Sequence, residues 1–89
     1  MEKLILIVND IQDKLFLYKV AELRKGIEHM IMEVSSIIDL LNYEENHIIN
    51  EIFNLLNTAL VNKDYLLYND ILEFELKSFL LAKINTGGI

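Results

Sequence analysis

Cysteine and proline are absent from the 89 residues, and glycine occurs only at positions 26, 87 and 88. Without cysteine, a domain this small cannot be reinforced by disulfides, and the composition fits a reducing cytoplasm. Without proline, and with no glycine between residues 27 and 86, the chain lacks the residues that build the tight turns of a small β fold. The sequence therefore predicts an all-α, cytoplasmic protein.

Long apolar runs are also missing. Residues 4–8 form an apolar run of five that ends at Asn9 and Asp10, whereas the apolar core of a signal peptide takes about 7 to 15 residues. No stretch approaches the ~18 apolar residues that a membrane span requires. We therefore expect no targeting segment and no membrane partner.

Positive charge is scarce, because eight lysines and arginines face fourteen aspartates and glutamates, which gives a net charge of −6 and an isoelectric point near 4.7. No basic residue occurs between Lys25 and Lys63. That stretch holds six acidic residues and both histidines: Glu28, His29, Glu33, Asp39, Glu44, Glu45, His47 and Glu51. Nucleic acids and anionic membranes attract basic surfaces. We therefore expect no nucleic-acid partner. If the chain binds a different protein, we expect that protein to be basic or to present an amphipathic helix.

Apolar residues recur in steps of four and three along the chain, the spacing of amphipathic helices. They predict a small bundle with helices near residues 2–41, 43–62 and 64–84, the last two forming an antiparallel hairpin. Asn42 with Glu45 has the spacing of a capping box, and Asp64 is placed to cap the third helix. We favour a continuous first helix, with a break near residues 19–22 as the alternative, because the stripe steps by five from Tyr18 to Leu23. The whole chain is predicted to be one domain, with a frayed tail at 85–89.

The predicted core takes one residue from nearly every helical turn. It comprises Val8, Ile11, Leu15, Ile27, Met30, Val34, Ile37, Leu41, Ile52, Leu55, Leu56, Leu67, Ile71 and Phe74. Hydrophobic residues make up 53% of the sequence, more than a thin three-helix core can enclose. We therefore predict a homodimer joined through apolar residues outside that core: Leu4, Ile5, Phe16, Leu17, Phe79 and Leu80. The acidic stretch is expected to lie away from the two-fold axis.

Arg24 and His29 are separated by four residues, a spacing that resembles the arginine–histidine motif of HEPN ribonucleases. The resemblance covers these two residues only. It implies an RNA-cleaving site in a larger helical bundle, usually across a dimer. We favour the other interpretation, a solvated Arg24 and a His29 at the edge of an apolar face, because a net acidic surface holds RNA poorly.

Ser35 and Asp39, followed by Leu40 and Leu41, loosely resemble the Ser-x-x-x-Asp helix of small aspartyl-phosphate phosphatases that act in sporulation phosphorelays. The resemblance spans about nine residues and lacks the glutamine usual after the first serine. It implies a phosphorelay accessory that would use Asp39. We do not assign an active-site role to Asp39 on this pattern alone.

Glu44 and His47 have the Glu-x-x-His spacing of di-iron carboxylate bundles, which also require a glutamate from each of two further helices. Glu44 falls in a first helical turn, where the helix dipole favours acids without any metal. His29 with Glu33, and His47 with Glu51, are i,i+4 pairs that we interpret as solvated. We therefore predict no metal and no cofactor.

Two classes of function remain. The first is a small acidic interaction module that acts by helix packing, as adaptors, chaperones, immunity proteins and antitoxins do. The second is a helical enzyme or phosphorelay accessory that uses Arg24, His29 or Asp39. We favour the first and predict no catalytic residue, because wide apolar stripes and acidic surfaces are present and no reactive cluster is.

Overall fold

The protein is described by a computed structural model that covers residues 1–17 and 19–87. In these residues there is no β-strand, and four helices account for nearly all of the chain, which confirms the predicted all-α fold. They are α1, Glu2–Phe16; α2, Val20–Ile37, extended by a 3-10 turn at Ile38–Leu40; α3, Tyr43–Val61; and α4, residues 65–87, which comprises Tyr65–Ile71, a π-helical turn at Leu72–Leu76 and Lys77–Gly87. Within the described part of the chain, none of these helices combines the length and hydropathy needed to cross a bilayer.

The predicted continuous helix over residues 2–41 is wrong, because α1 ends at Phe16 and a separate α2 begins at Val20. Lys3 Nζ, at the start of α1, lies 3.6 Å from Glu33 Oε1 near the end of α2. Lys14 Nζ, near the end of α1, lies 3.9 Å from Glu22 Oε2 at the start of α2. The two helices are therefore antiparallel. The alternative, a break near residues 19–22, came within a few residues of the observed one. Folding the segment in two lets its apolar stripes face each other.

Gly26 of α2 faces the side chain of Ile11 on α1. A Cβ atom at this position would stand 3.0 Å from Cγ1 of Ile11, tighter than ordinary van der Waals contact. Glycine therefore leaves room for the Ile11 side chain against the backbone of α2.

The other two helices form a second antiparallel pair, consistent with the predicted hairpin. The Asp64 amide donates to the Ala59 carbonyl at 2.8 Å near the turn, and Lys83 Nζ lies 2.7 Å from Glu45 at the far end. Lys77 of α4 donates to Gln12 of α1 at 3.2 Å, which joins the two hairpins. The result is an elongated bundle of 37 × 21 × 20 Å in which α1 packs beside α2 and α4, and α3 packs beside α4.

The caps predicted for α3 and α4 are confirmed. The Glu45 amide donates to Asn42 Oδ1 at 2.8 Å, and the Asn42 amide donates to the Glu45 carboxylate at 2.9 Å, which is a complete capping box. Asp64 accepts from the Leu67 amide at 3.1 Å. The chain reaches Asp64 through Lys63, whose φ of 55° turns it sharply between α3 and α4.

α4 continues to Gly87, three residues beyond the predicted helix end at residue 84. Gly88 and Ile89 of the predicted frayed tail lie outside the described residues, as does Tyr18 of the predicted apolar stripe.

One buried cluster forms the core, and most of the predicted members belong to it. Val8, Ile11, Leu15, Met30, Val34, Ile37, Leu41, Ile52, Leu56 and Ile71 are buried, and Ile27 packs partly buried against them. Leu55, Leu67 and Phe74 are exposed, so their assignment to the core was wrong. The prediction missed Leu4, Ile7, Leu23, Ile49, Ala59, Tyr68, Leu72, Leu76 and Leu80.

The errors in α4 have a geometric cause. Its buried row is Tyr68, Leu72, Leu76 and Leu80, a repeat of four residues. In an ideal α-helix such a row would turn by about 40° at each step, because one turn takes 3.6 residues. The π-helical turn at Leu72–Leu76 is wider and absorbs that rotation, so all four side chains face the core.

Leu55 and Leu56 are adjacent in α3 but differ in exposure, at 53% and 1%. Replacing Leu56 by alanine should lower the free energy of unfolding by about 2 to 5 kcal/mol, because the change opens a cavity in the core. Replacing Leu55 by alanine should cost less than about 1 kcal/mol, because half of that side chain already contacts water. Urea denaturation followed by circular dichroism measures both. Equal losses would show that α3 is rotated relative to the orientation described here.

Candidate functional site: an apolar groove at the turn end of the bundle

The six residues predicted to bind a partner do not form one surface. Leu4 and Leu80 are fully buried in the core of a single chain, and Ile5 and Phe79 pack against it partly buried. The reason is the folding back of α1 onto α2, which turns the early residues of α1 inward. Phe16 and Leu17, at the end of α1, are exposed.

Phe16 borders a groove of about 580 Å³ between α1 and α4. Its lining comprises Gln12, Asp13, Leu15 and Phe16 from α1, and Tyr65, Leu66 and Asn69 from α4. Phe16 is 83% exposed and Leu66 is 76% exposed, so each helix presents one large apolar side chain beside the groove. Leu17 continues the apolar surface at the end of α1.

The groove lies where the end of α1 meets the start of α4. Phe16 is the last residue of α1, and Leu66 lies in the first turn of α4, whose start is set by the Asp64 cap. Gln12, which lines the groove, joins α1 to α4 by two hydrogen bonds. Its amide donates to Glu73 at 3.1 Å, and its carbonyl accepts from Lys77 at 3.2 Å. The hydrogen bond from Gln12, followed by that from Lys77, lowers the pKa of Glu73 and favours its charged form.

Charge is unevenly distributed between this end of the molecule and the rest. Residues 10–25 and 61–70, which form the turn end, contain five acidic and five basic residues and carry no net charge. The remaining residues contain nine acidic and three basic residues and account for the net charge of −6. The groove therefore lies at an end of the molecule that carries no net charge, whereas the rest of the protein is acidic.

Arg24 and His29 point to different sides of α2. Five residues on a helix are separated by about 140°. Arg24 lines a smaller groove of about 220 Å³ with Glu28 of α2 and Leu60 of α3, whereas His29 is exposed. The structure therefore does not bring the two residues together in one chain.

Asp39 is exposed in the 3-10 turn that follows α2. The neighbouring serines bond to their own helix, since Ser35 Oγ donates to the Ile31 carbonyl at 3.0 Å and Ser36 Oγ donates to the Glu33 carbonyl at 2.6 Å. The Ser-x-x-x-Asp pattern thus spans a helix and a 3-10 turn, and its hydroxyls are engaged by the backbone.

The proposed metal-ligand spacings do not converge either. His47 Nε2 lies 3.2 Å from Glu51 Oε1, and both side chains are exposed. In residues 1–17 and 19–87, no group of three or more histidine, aspartate and glutamate side chains could hold a metal ion.

Leu66, on the α4 side of the groove, was missed by the sequence analysis. An exposed leucine by itself carries no signal. Only the return of α1 toward the start of α4 makes Leu66 a neighbour of Phe16. Tyr68, also on α4, is buried, and its burial raises its pKa to about 12.

Comparison with protein families, with curated proteins and with solved structures finds no match for this chain. Its function must therefore be inferred from its own geometry.

The contact between Glu45 and Lys83 is expected to make stability depend on pH. The hydrogen bond from Lys83, followed by that from the Asn42 amide, lowers the pKa of Glu45 below its ordinary 4.5. A carboxyl whose pKa is lower in the folded state stabilises the fold above its unfolded pKa, and that contribution is lost as the pH falls through the folded value. Glu45→Gln should therefore reduce stability at neutral pH. The difference from wild type should begin to shrink as the pH falls below about 4.5, and it should disappear only below the lowered pKa of Glu45 in the folded protein.

Glu44→Gln provides the matched control, because Glu44 is exposed one residue earlier in the same helical turn. Urea denaturation of the three proteins at neutral and acidic pH makes the comparison. A deficit of Glu45→Gln that persists unchanged in acid would contradict the assignment, since it would not depend on the charge of Glu45.

Proposed function

We propose that this chain is a protein–protein interaction module that acts by helix packing and pairs with a second copy of itself through the groove bordered by Phe16 and Leu66. The observation that carries the proposal is the exposure of these two large apolar side chains, from two helices, beside one groove. Exposed apolar groups beside a groove favour association because their burial removes apolar surface from water.

Aromatic side chains are effective anchors in such contacts. A phenylalanine buries a large apolar area and loses little conformational freedom. Phe16 stands at the end of α1, where its side chain can enter the groove of another molecule. In a two-fold dimer each copy supplies the same residues, so Phe16 of each copy would contact the groove of the other.

Charge supports this end of the molecule as the dimer contact. Two copies with a net charge of −6 each repel one another. Contact through residues 10–25 and 61–70, which are neutral overall, keeps the acidic remainder of both copies away from the two-fold axis. A dimer in a reducing cytoplasm is also consistent with the absence of cysteine, since the contact needs no covalent link.

Sedimentation equilibrium at micromolar concentration should give a mass near twice the 10.4 kDa of the chain. Phe16→Ser should yield a monomer with an unchanged circular dichroism spectrum, because the side chain is exposed and its loss opens no cavity. Leu6→Ser is the matched control. It removes an exposed apolar side chain from the same helix, more than two turns from Phe16 and outside the groove lining, and should remain dimeric.

A wild-type protein that sediments as a monomer throughout this range would overturn self-association. Equal loss of the dimer in Phe16→Ser and Leu6→Ser would leave the dimer but overturn its assignment to the groove.

A further inference from the structure

A second apolar surface lies on the hairpin formed by α3 and α4. On α3, Glu44, Ile48, Glu51 and Leu55 follow one another in steps of four, three and four, so they share one face of the helix. Ile48 and Leu55 are exposed although apolar. This face alternates acidic and apolar side chains over three turns.

This face of α3 is turned away from the groove that α3 shares with α2. Leu60 lines that groove with Leu23 and Ile27 of α2 and with Tyr65 at the start of α4. Leu55 is five residues from Leu60, and so about 140° away around the helix. The row of buried residues, which includes Leu56, lies between the two sides.

On α4, Leu67 and Phe74 are exposed although apolar. Asn69 lines the groove with α1 and so marks the α1 side of α4. Leu67 lies two residues away, or about 160° around the helix, and so on a different side. Phe74 lies in the π-helical turn and is 68% exposed. Ile48 and Leu55 of α3, with Leu67 and Phe74 of α4, are thus exposed apolar side chains of one antiparallel pair of packed helices, hereafter the hairpin strip.

Carboxylates flank the hairpin strip on both helices. Glu44 and Glu51 lie on the α3 side, and Asp70 and Glu75 lie on the α4 side, all exposed. His47 lies 3.2 Å from Glu51 and compensates its charge only when protonated. Between Glu44 and Glu75 the chain has a single lysine, Lys63, in the turn. The hairpin strip is thus an apolar row with acidic edges.

We propose that the hairpin strip binds an amphipathic helix of another protein, one whose apolar face is flanked by lysine or arginine. The inference rests on the proposed role of the chain as an interaction module and names the partner of a surface distinct from the groove. The apolar face would pack on Leu55 and Phe74, and the basic edges would meet Glu51 and Asp70, as in other helix-in-groove complexes. Opposite charges fix the register and accelerate association.

A second copy of the chain is a poorer occupant of this surface. A two-fold axis through the hairpin strip would place the carboxylates of one copy opposite those of the other, and juxtaposed like charges oppose association. The groove at the neutral turn end lacks that repulsion. The difference in charge therefore separates a self-binding surface from one suited to a basic partner.

The probe is a synthetic helical peptide with leucines at positions i, i+3, i+4 and i+7 and lysines along both edges. A peptide of the same composition but scrambled order has the same charge and no apolar face. Fluorescence anisotropy against the protein should show saturable binding of the first peptide and at least about tenfold weaker binding of the second. Binding should weaken as salt is raised, because the charges at the edges are exposed.

Two variants and two controls assign the site. Leu55→Ser and Glu51→Lys should each weaken binding by about tenfold or more, with unchanged circular dichroism spectra, because both side chains are exposed. Leu6→Ser, on α1, should bind as the wild type does. Phe16→Ser should also bind the peptide normally while losing the dimer. The two proposals can therefore fail independently, because dimerisation and peptide binding are measured separately in the same variants.

Equal affinity for the ordered and scrambled peptides would overturn the proposal, because it would mean attraction to net negative charge alone. Unchanged binding in both Leu55→Ser and Glu51→Lys would also overturn it, and so would the absence of any binding by the wild type.

Discussion

Apolar contact between α1 and α2 is the interaction on which the remaining structure depends. Ile11 of α1 and Met30 of α2 are fully buried, and Gly26 leaves room for the Ile11 side chain against α2. This contact turns one long amphipathic segment into a hairpin, which then covers the α3–α4 hairpin. It also decides what is exposed, because Leu4 moves into the core while Phe16, at the end of α1, is left beside the start of α4.

Local signals made much of the fold predictable. The absence of proline and the scarcity of glycine favoured helices, and Asn42, Glu45 and Asp64 located the starts of α3 and α4 to within one residue. The break after Phe16 was harder to predict, because no proline, glycine or asparagine marks it. The break is stabilised by tertiary contact, because the apolar stripes of α1 and α2 are buried against each other. A short window of sequence does not contain both stripes and so does not reveal that contact.

The candidate site was less predictable than the fold. Phe16 and Leu17 were expected at a contact, but Leu66 and Tyr65 belong to the groove only because α1 returns to the start of α4. In α3, two neighbouring apolar rows were equally good candidates for the core, and the choice between Leu55 and Leu56 depended on where α4 lies. In α4 the π-helical turn shifts the buried row, and no local residue preference indicates it.

The distribution of charge gives the two apolar surfaces different chemistry. An apolar patch alone does not distinguish a copy of the same chain from another protein, since burial of apolar area is non-directional. The charges around it do. Near Phe16, acidic and basic residues are equal in number, so identical molecules can meet there without net repulsion. Along the hairpin strip, Glu44, Glu51 and Glu75 would oppose an identical surface and attract a basic one. The scarcity of lysine and arginine between residues 25 and 63 is therefore the feature by which the surface proposed for self-association differs from the one proposed for a basic partner.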